Sequence, residues 1–275
     1  MKFPLGAMTV GDIFDRGIKL LIARLPAIYI ISLIAYVPVL VFQLLHPALR
    51  LGSFADRDDM AANLLGSMGQ SLISIITTLL ATGATVHIMS QEFIDRRASV
   101  GEAMGVAMRR FGSLLGTSLL AIIVIVLGLI LFIVPGIFFA IWFAFIAQVV
   151  IMEGLGGTAA MSRSKELSTG YAGRIFGIYV LLSLIQMVVA LVLLVLLALV
   201  LPFAELVRTD AGLVIRTNVT NYIIDMVILA LVAPLFSAFQ QVCTTLLYFD
   251  LRIRKEGFDL EMTARQQAGE IAPEL

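Results

Sequence analysis

Glu153 stands where one apolar run stops, and Asp250 and Arg252 stand where the last one stops. Within that last run lie Asp225, Gln240 and Gln241. Polar groups are costly in a hydrocarbon environment, so each needs a partner or a purpose. Ser237, Gln240, Gln241, Thr244 and Tyr248 recur at helical spacing and form one stripe. Ser71, Ser74, Thr78, Ala81 and Thr85 form a second stripe of small or hydroxyl residues. Two readings stay open for each stripe. One is a wall of a polar pathway or headgroup pocket. The other is close helix packing with interhelical hydrogen bonds, for which small and hydroxyl residues are the usual material. The boundary charges also admit two readings: pairing or headgroup binding, or plain span termination with arginine meeting anionic lipid.

Catalytic patterns are sparse. His46 and His87 belong at opposite membrane faces, about 30 Å apart, and cannot share a metal. Ser162 and Lys165 match an S-x-x-K spacing but lack the companion motifs of acyl-enzyme chemistry. The acids of Asp56–Asp59 lack the spacing and glycine of a calcium loop. Asn218–Thr220 is a glycosylation sequon that matters only in a secretory pathway. Cys243 is the single cysteine, which excludes an intrachain disulfide and a multi-cysteine zinc site. No catalytic residue, metal ligand or cofactor is expected. Net charge is zero, which argues against a nucleic-acid partner.

The elements that position these residues follow from solvent. The chain has 275 residues, 60% hydrophobic and 14% charged, with a mean hydropathy of +1.02. Soluble domains carry about a quarter charged residues, so the chain reads as an all-α polytopic membrane protein. A crossing needs about 20 apolar residues. Spans are expected near 26–45, 72–89, 114–134, 137–152, 175–201 and 223–249, with Pro135-Gly136 dividing the long block Leu114–Met152. They form one domain, residues 1–261, followed by a polar tail, 262–275, expected to be disordered. The first 25 residues carry charges throughout and do not read as a cleavable signal. Fifteen of the 19 Lys and Arg fall on the side shared by both termini. That asymmetry predicts that both ends are cytoplasmic, and the location expected is the inner (plasma) membrane.

TVGDIFDRGIKLL at 9–21 and SVGEAMGVAMRRF at 99–111 share a phrase: hydroxyl, Val-Gly, acid, then a basic residue near the end. Both match a capping box. Each predicts a short amphipathic helix lying in the cytoplasmic headgroup layer. GTAAMSRSKEL at 157–167 is a weaker third copy. The architecture expected is therefore six transmembrane helices as three hairpins, each preceded by an interfacial amphipathic helix. True repetition and a common linker chemistry explain the copies equally well.

Beyond those residues, the chain resembles the membrane domain of bacterial glycerophosphoryl diester phosphodiesterases and its stand-alone relatives. The likeness is carried by TVGDIFDRGIKLL, VPGIFFAIWFAF, MEGLGGTAAMSRSKELSTGYAGRIFGI and YFDLRIRKEGFDLE. Its matching positions include Pro135-Gly136, Glu153-Gly154, Ala160, Arg163-Ser164, Asp250, Arg252, Arg254, Glu256 and Gly257, and through it Arg163 joins the candidate binding residues. The resemblance implies a multi-span helical domain tied to membrane-lipid metabolism. In fused relatives a separate soluble barrel carries hydrolysis, and this chain has no such segment. Function belongs to sites and not to folds. The expectation is a non-catalytic module that binds membrane lipids, with anionic headgroups at the cytoplasmic face, or anchors and regulates a protein partner. The alternatives are a small transporter or lipid exporter using the sixth-span stripe, and a membrane enzyme working through Glu153 and Asp250.

Overall fold

The computed structural model describes residues 6–45, 60–93, 96–200, 204–209, 212–217 and 219–257. His46, Asp56–Asp59, Asn218 and the tail 262–275 lie outside the described residues. Among the described residues the longer helices are α1 (Val10–Leu45), α2 (Met60–Phe93), α3 (Val100–Leu131), α4 (Ile133–Trp142), α5 (Gly157–Ser168), α6 (Ala172–Val200) and α7 (Val219–Glu256). Between α6 and α7 the sequence reading expected only a loop. There Ala204–Thr209 (β1) pairs antiparallel with Gly212–Thr217 (β2).

Five segments among the described residues are long and apolar enough to cross a membrane: Val10–Phe42, Leu64–Glu92, Val100–Leu131, Ile133–Glu153 and Ala172–Leu193. The chain is a helical membrane protein. Large apolar side chains on these helices face outward, among them Leu65 at 71%, Ile130 at 77% and Leu199 at 77% exposure. In water that would be a liability; against lipid it is the expected surface.

The capping box at Thr9 forms in full, and the one at Ser99 forms by half. Thr9 Oγ1 accepts from the Asp12 amide at 3.1 Å, and Asp12 Oδ2 accepts from the Thr9 amide at 2.8 Å. Ser99 Oγ accepts from the Glu102 amide at 3.2 Å. The segments they start, however, are not separate interfacial helices. α1 runs unbroken for 36 residues and α3 for 32, or about 54 and 48 Å at 1.5 Å per residue. The amphipathic phrases are the first turns of the spans themselves. A helix continues while each amide finds its i−4 carbonyl, and nothing in either phrase withdraws a donor. Pro26, taken as the start of a span, lies inside α1. Only the third copy is a free-standing helix, α5. It lacks a side-chain cap of its own, and Thr117 of α3 accepts from its Gly157 amide at 2.7 Å.

The chain divides into two compact units. One comprises residues 1–31, 79–180 and 238–275; the other comprises 32–78 and 181–237. In the second, Phe42 lies close enough to Gly69 that an added Cβ would meet its ring at 3.1 Å. The first unit holds the polar residues of interest. Its core is the C-terminal half of α7, where every residue from Val242 to Leu251 is buried. α1 packs on it through Gly17, whose missing Cβ would sit 2.8 Å from Cys243 Sγ. α3 turns a face of small and apolar residues inward, Ala103, Ala107, Leu114, Thr117, Ala121 and Gly128. Gly83 of α2 rests on that face, with Leu114 and Ala107 at 3.0 and 3.2 Å from its would-be Cβ.

The block Leu114–Met152 does divide, but at Phe132, three residues before the proline. Phe132 is extended (φ −158°, ψ 145°). Pro135 then falls in the first turn of α4, where a missing amide costs nothing. Gly136 and Gly128 let the two helices close: a Cβ on Gly136 would lie 2.4 Å from Leu129 Cγ. α4 itself breaks after Trp142. The chain resumes as one helical turn, Ile146–Gln148, then a π-helical turn, Val149–Glu153, ended by Gly154 in the left-handed region (φ 74°).

Candidate functional site

The break in α4 frees backbone groups in an apolar setting, and side chains take them up. Ser164 of α5 accepts from the Phe145 amide at 3.1 Å and donates to the Trp142 carbonyl at 2.7 Å. Tyr179 donates to the Ala144 carbonyl at 3.4 Å. Broken helices survive at membrane depth only with such substitutes. Nearby, Gln148 is 1% exposed and donates to Thr245 Oγ1 at 3.4 Å. Thr245 in turn donates to the Gln241 carbonyl at 2.8 Å.

The boundary charges sort into two closed networks. In the first, Glu153 accepts from Arg163 Nε at 2.8 Å and from the Tyr248 hydroxyl at 2.6 Å. Arg163 also reaches Glu256 at 2.5 Å, and Arg252 Nε reaches the other Glu256 oxygen at 2.9 Å. Burial works to raise the Glu256 carboxyl. The hydrogen bonds and charges of Arg252 and Arg163 outweigh it and hold the group below its ordinary value. Burial likewise works against the charged Arg163, and the hydrogen bonds it donates to Glu153 and Glu256 lift it above the usual arginine range. In the second network Asp250 is fully buried. It accepts from the Met8 amide at 2.7 Å, from Arg174 at 2.9 Å and from Arg254 at 3.0 Å. Arg174 and Arg254 both donate to the Met8 carbonyl, at 2.6 and 2.7 Å. The segment ahead of α1 is thereby tied to α6 and α7.

Glu153, Arg163 and Arg252 are thus brought together, and Asp250 is held apart from them. The polar stripe of α7 points to protein partners: Gln241 donates to Thr82 Oγ1 at 2.9 Å, and Tyr248 reaches Glu153. The α2 partner is Thr82, which the stripe through Thr78 and Ala81 passed over. Gln240 is half-buried. The Asp225 side chain lies outside the described residues. Among the described residues no three His, Cys, Asp or Glu side chains converge as a metal site.

An open feature lies elsewhere. A cavity of about 390 Å³ is lined by His87, Ser90 and Gln91 of α2, Val106, Arg109 and Arg110 of α3, and Ile151 and Met152 of the π-turn. Arg110 donates to the Gly154 carbonyl at 3.1 Å. A Cβ on Gly154 would press on that guanidinium at 3.0 Å, so the glycine is needed for space as well as for its φ. Among the described residues neither Arg109 nor Arg110 has a carboxylate partner. His87 Nε2 is buried without a hydrogen bond, 3.8 Å from Glu102 Oε1. In the sequence Arg109 and Arg110 close the amphipathic phrase SVGEAMGVAMRRF and His87 falls near a span end, with no spacing that joins them. The adjacent arginines, with the nearest carboxylate set aside by a full helical turn or more, were the available signal.

Residues 96–251, more than half of the chain, match the model of a family described as a domain of unknown function, DUF7847. The chain belongs to this family. The matched stretch covers α3 to most of α7, and so includes Arg109, Arg110, the broken helix and Asp250. No curated protein and no solved structure matches the chain.

Proposed function

We propose that the chain is a six-span membrane module, both termini cytoplasmic, that binds anionic lipid headgroups at its cytoplasmic end and has no catalytic centre of its own. The apolar part of α7 supplies the sixth span, and the distribution of Lys and Arg supplies the orientation. The observation that carries the reading is the cavity between α2 and α3, concave, lined by two arginines without carboxylate partners. Guanidinium is the side chain best matched to a phosphate by geometry and charge. The other boundary charges support this by contrast. Glu153, Arg163, Arg252 and Asp250 satisfy one another or the backbone and serve as internal ties. The resemblance to the membrane domain of glycerophosphoryl diester phosphodiesterases adds a connection to membrane-lipid metabolism. A small concave site suits a headgroup better than the broad surface a partner protein needs.

The test is lipid retention. The full chain, purified in mild detergent, is analysed by native mass spectrometry beside Arg109→Ala and Arg110→Ala. Anionic phospholipid is expected on the wild type and reduced on both variants. Equal retention by all three would end the reading.

A further inference from the structure

Resting on the headgroup reading, we infer that the cavity recognises a phosphomonoester group in preference to a phosphodiester. Charge points that way first. A phosphodiester carries one negative charge, whereas a monoester near pH 7 carries about −1.5 to −2 and offers three strong acceptor oxygens. The cavity presents two guanidiniums, Arg109 and Arg110, that no carboxylate neutralises among the described residues. A diester leaves one of them unmatched. Hydrogen bonding points the same way. His87 lines the cavity and its buried Nε2 makes no hydrogen bond, and a third terminal oxygen supplies an acceptor for it. Two arginines and a histidine from two helices contribute to the lining. Val106, Ile151 and Met152 also line it, which supplies apolar surface for the organic substituent of a single ester linkage. Glu102 opposes anion binding: its Oε1 lies 3.8 Å from His87 Nε2. It makes that ring's alternative partner when the cavity is empty.

The experiment uses the full chain in detergent with three probes: dioleoyl phosphatidic acid, dioleoyl phosphatidylglycerol and soluble glycerol 3-phosphate. Binding of the lipids is titrated by native mass spectrometry and of the soluble ester by calorimetry. The wild type is expected to bind the monoester lipid about tenfold more tightly than the diester, the scale of one additional charge-assisted contact. His87→Gln is expected to bring the two lipids within about twofold while leaving diester binding in place, and Glu102→Gln to tighten the monoester. Glycerol 3-phosphate binding as tight as the lipid supports the same chemistry and assigns it to a soluble source. Weak binding of it assigns the source to the membrane. Equal binding of both lipids by the wild type overturns the monoester inference and leaves the headgroup reading intact. Binding of neither overturns both. Melting temperatures and elution profiles check that each variant is folded.

Discussion

Ser164→Ala tests the account of the broken helix. The hydroxyl is fully buried and serves two backbone groups at once, the Phe145 amide at 3.1 Å and the Trp142 carbonyl at 2.7 Å. Alanine keeps the packing and removes both bonds. An orphaned buried polar group costs about 1–3 kcal/mol. The two losses are not equal. Trp142 O still has the Ser168 hydroxyl at 3.5 Å, which can close in, whereas the Phe145 amide is left with nothing. The full charge for the amide and part of it for the carbonyl sum to about 2–4 kcal/mol. Interhelical hydrogen bonds measured in membranes average only about 0.6 kcal/mol, because the unfolded chain finds other partners in lipid. The same applies here, since a denatured segment can re-form a continuous helix, and it places the expectation near the lower end, about 2 kcal/mol. The measurement is reversible unfolding in mixed micelles by SDS titration. Ser162→Ala is the control, on an exposed position of the same helix, and should shift stability by less than about 0.5 kcal/mol. If Ser164→Ala is as mild as its control, the hydroxyl is not what holds the break.

Three further outcomes are expected. Asp250→Ala leaves Arg174, Arg254 and the Met8 amide without their common acceptor and should cost about 3–5 kcal/mol in the same unfolding assay; limited proteolysis should then cut ahead of α1. Gly136→Ala puts a methyl 2.4 Å from Leu129 Cγ and 2.8 Å from its backbone nitrogen. It should destabilise by about 1–3 kcal/mol, while Gly112→Ala, with open space around it, should be neutral or stabilising by melting temperature. For Glu256 the folded carboxyl titrates below its ordinary value of 4.5, so its contribution is complete above that value and fades as pH falls through the lower, folded one. A melting-temperature series from pH 6 to 3 should therefore slope down at the acid end, and Glu256→Gln should start lower at pH 6 and slope less.

Much of this protein is written in properties that add along the chain. Hydropathy is a transfer property of each residue, so five spans and the membrane class could be read from letters alone, although α1 and α3 begin more than ten residues before the expected span starts. Capping is local as well: Thr9 and Asp12 formed the full box and Ser99 capped the Glu102 amide, as spacing requires. What local chemistry does not contain is which faces meet. The amphipathic phrases read as separate surface helices because their charge pattern is that of one; only the packing of Gly17 on Cys243 and of Ala107 on Gly83 shows them to be the ends of long rods. Pro135 marked a turn, yet the turn fell at Phe132, because a proline is tolerated in a helix's first turn and the close approach at Gly136 decided where the chain reversed. Glu153 and Asp250 announced themselves as charges at span ends, but apart from Arg254, one turn from Asp250, their partners Arg163, Tyr248, Arg174 and the Met8 backbone lie from ten to more than two hundred residues away. The cavity depends on the same long-range geometry. Arg109 and Arg110 are ordinary surface arginines in the sequence, and come to line a cavity only where α2 brings His87 and the π-turn brings Ile151 and Met152. Burial in oil is legible residue by residue, whereas the pairing of charges is a property of two helices in contact.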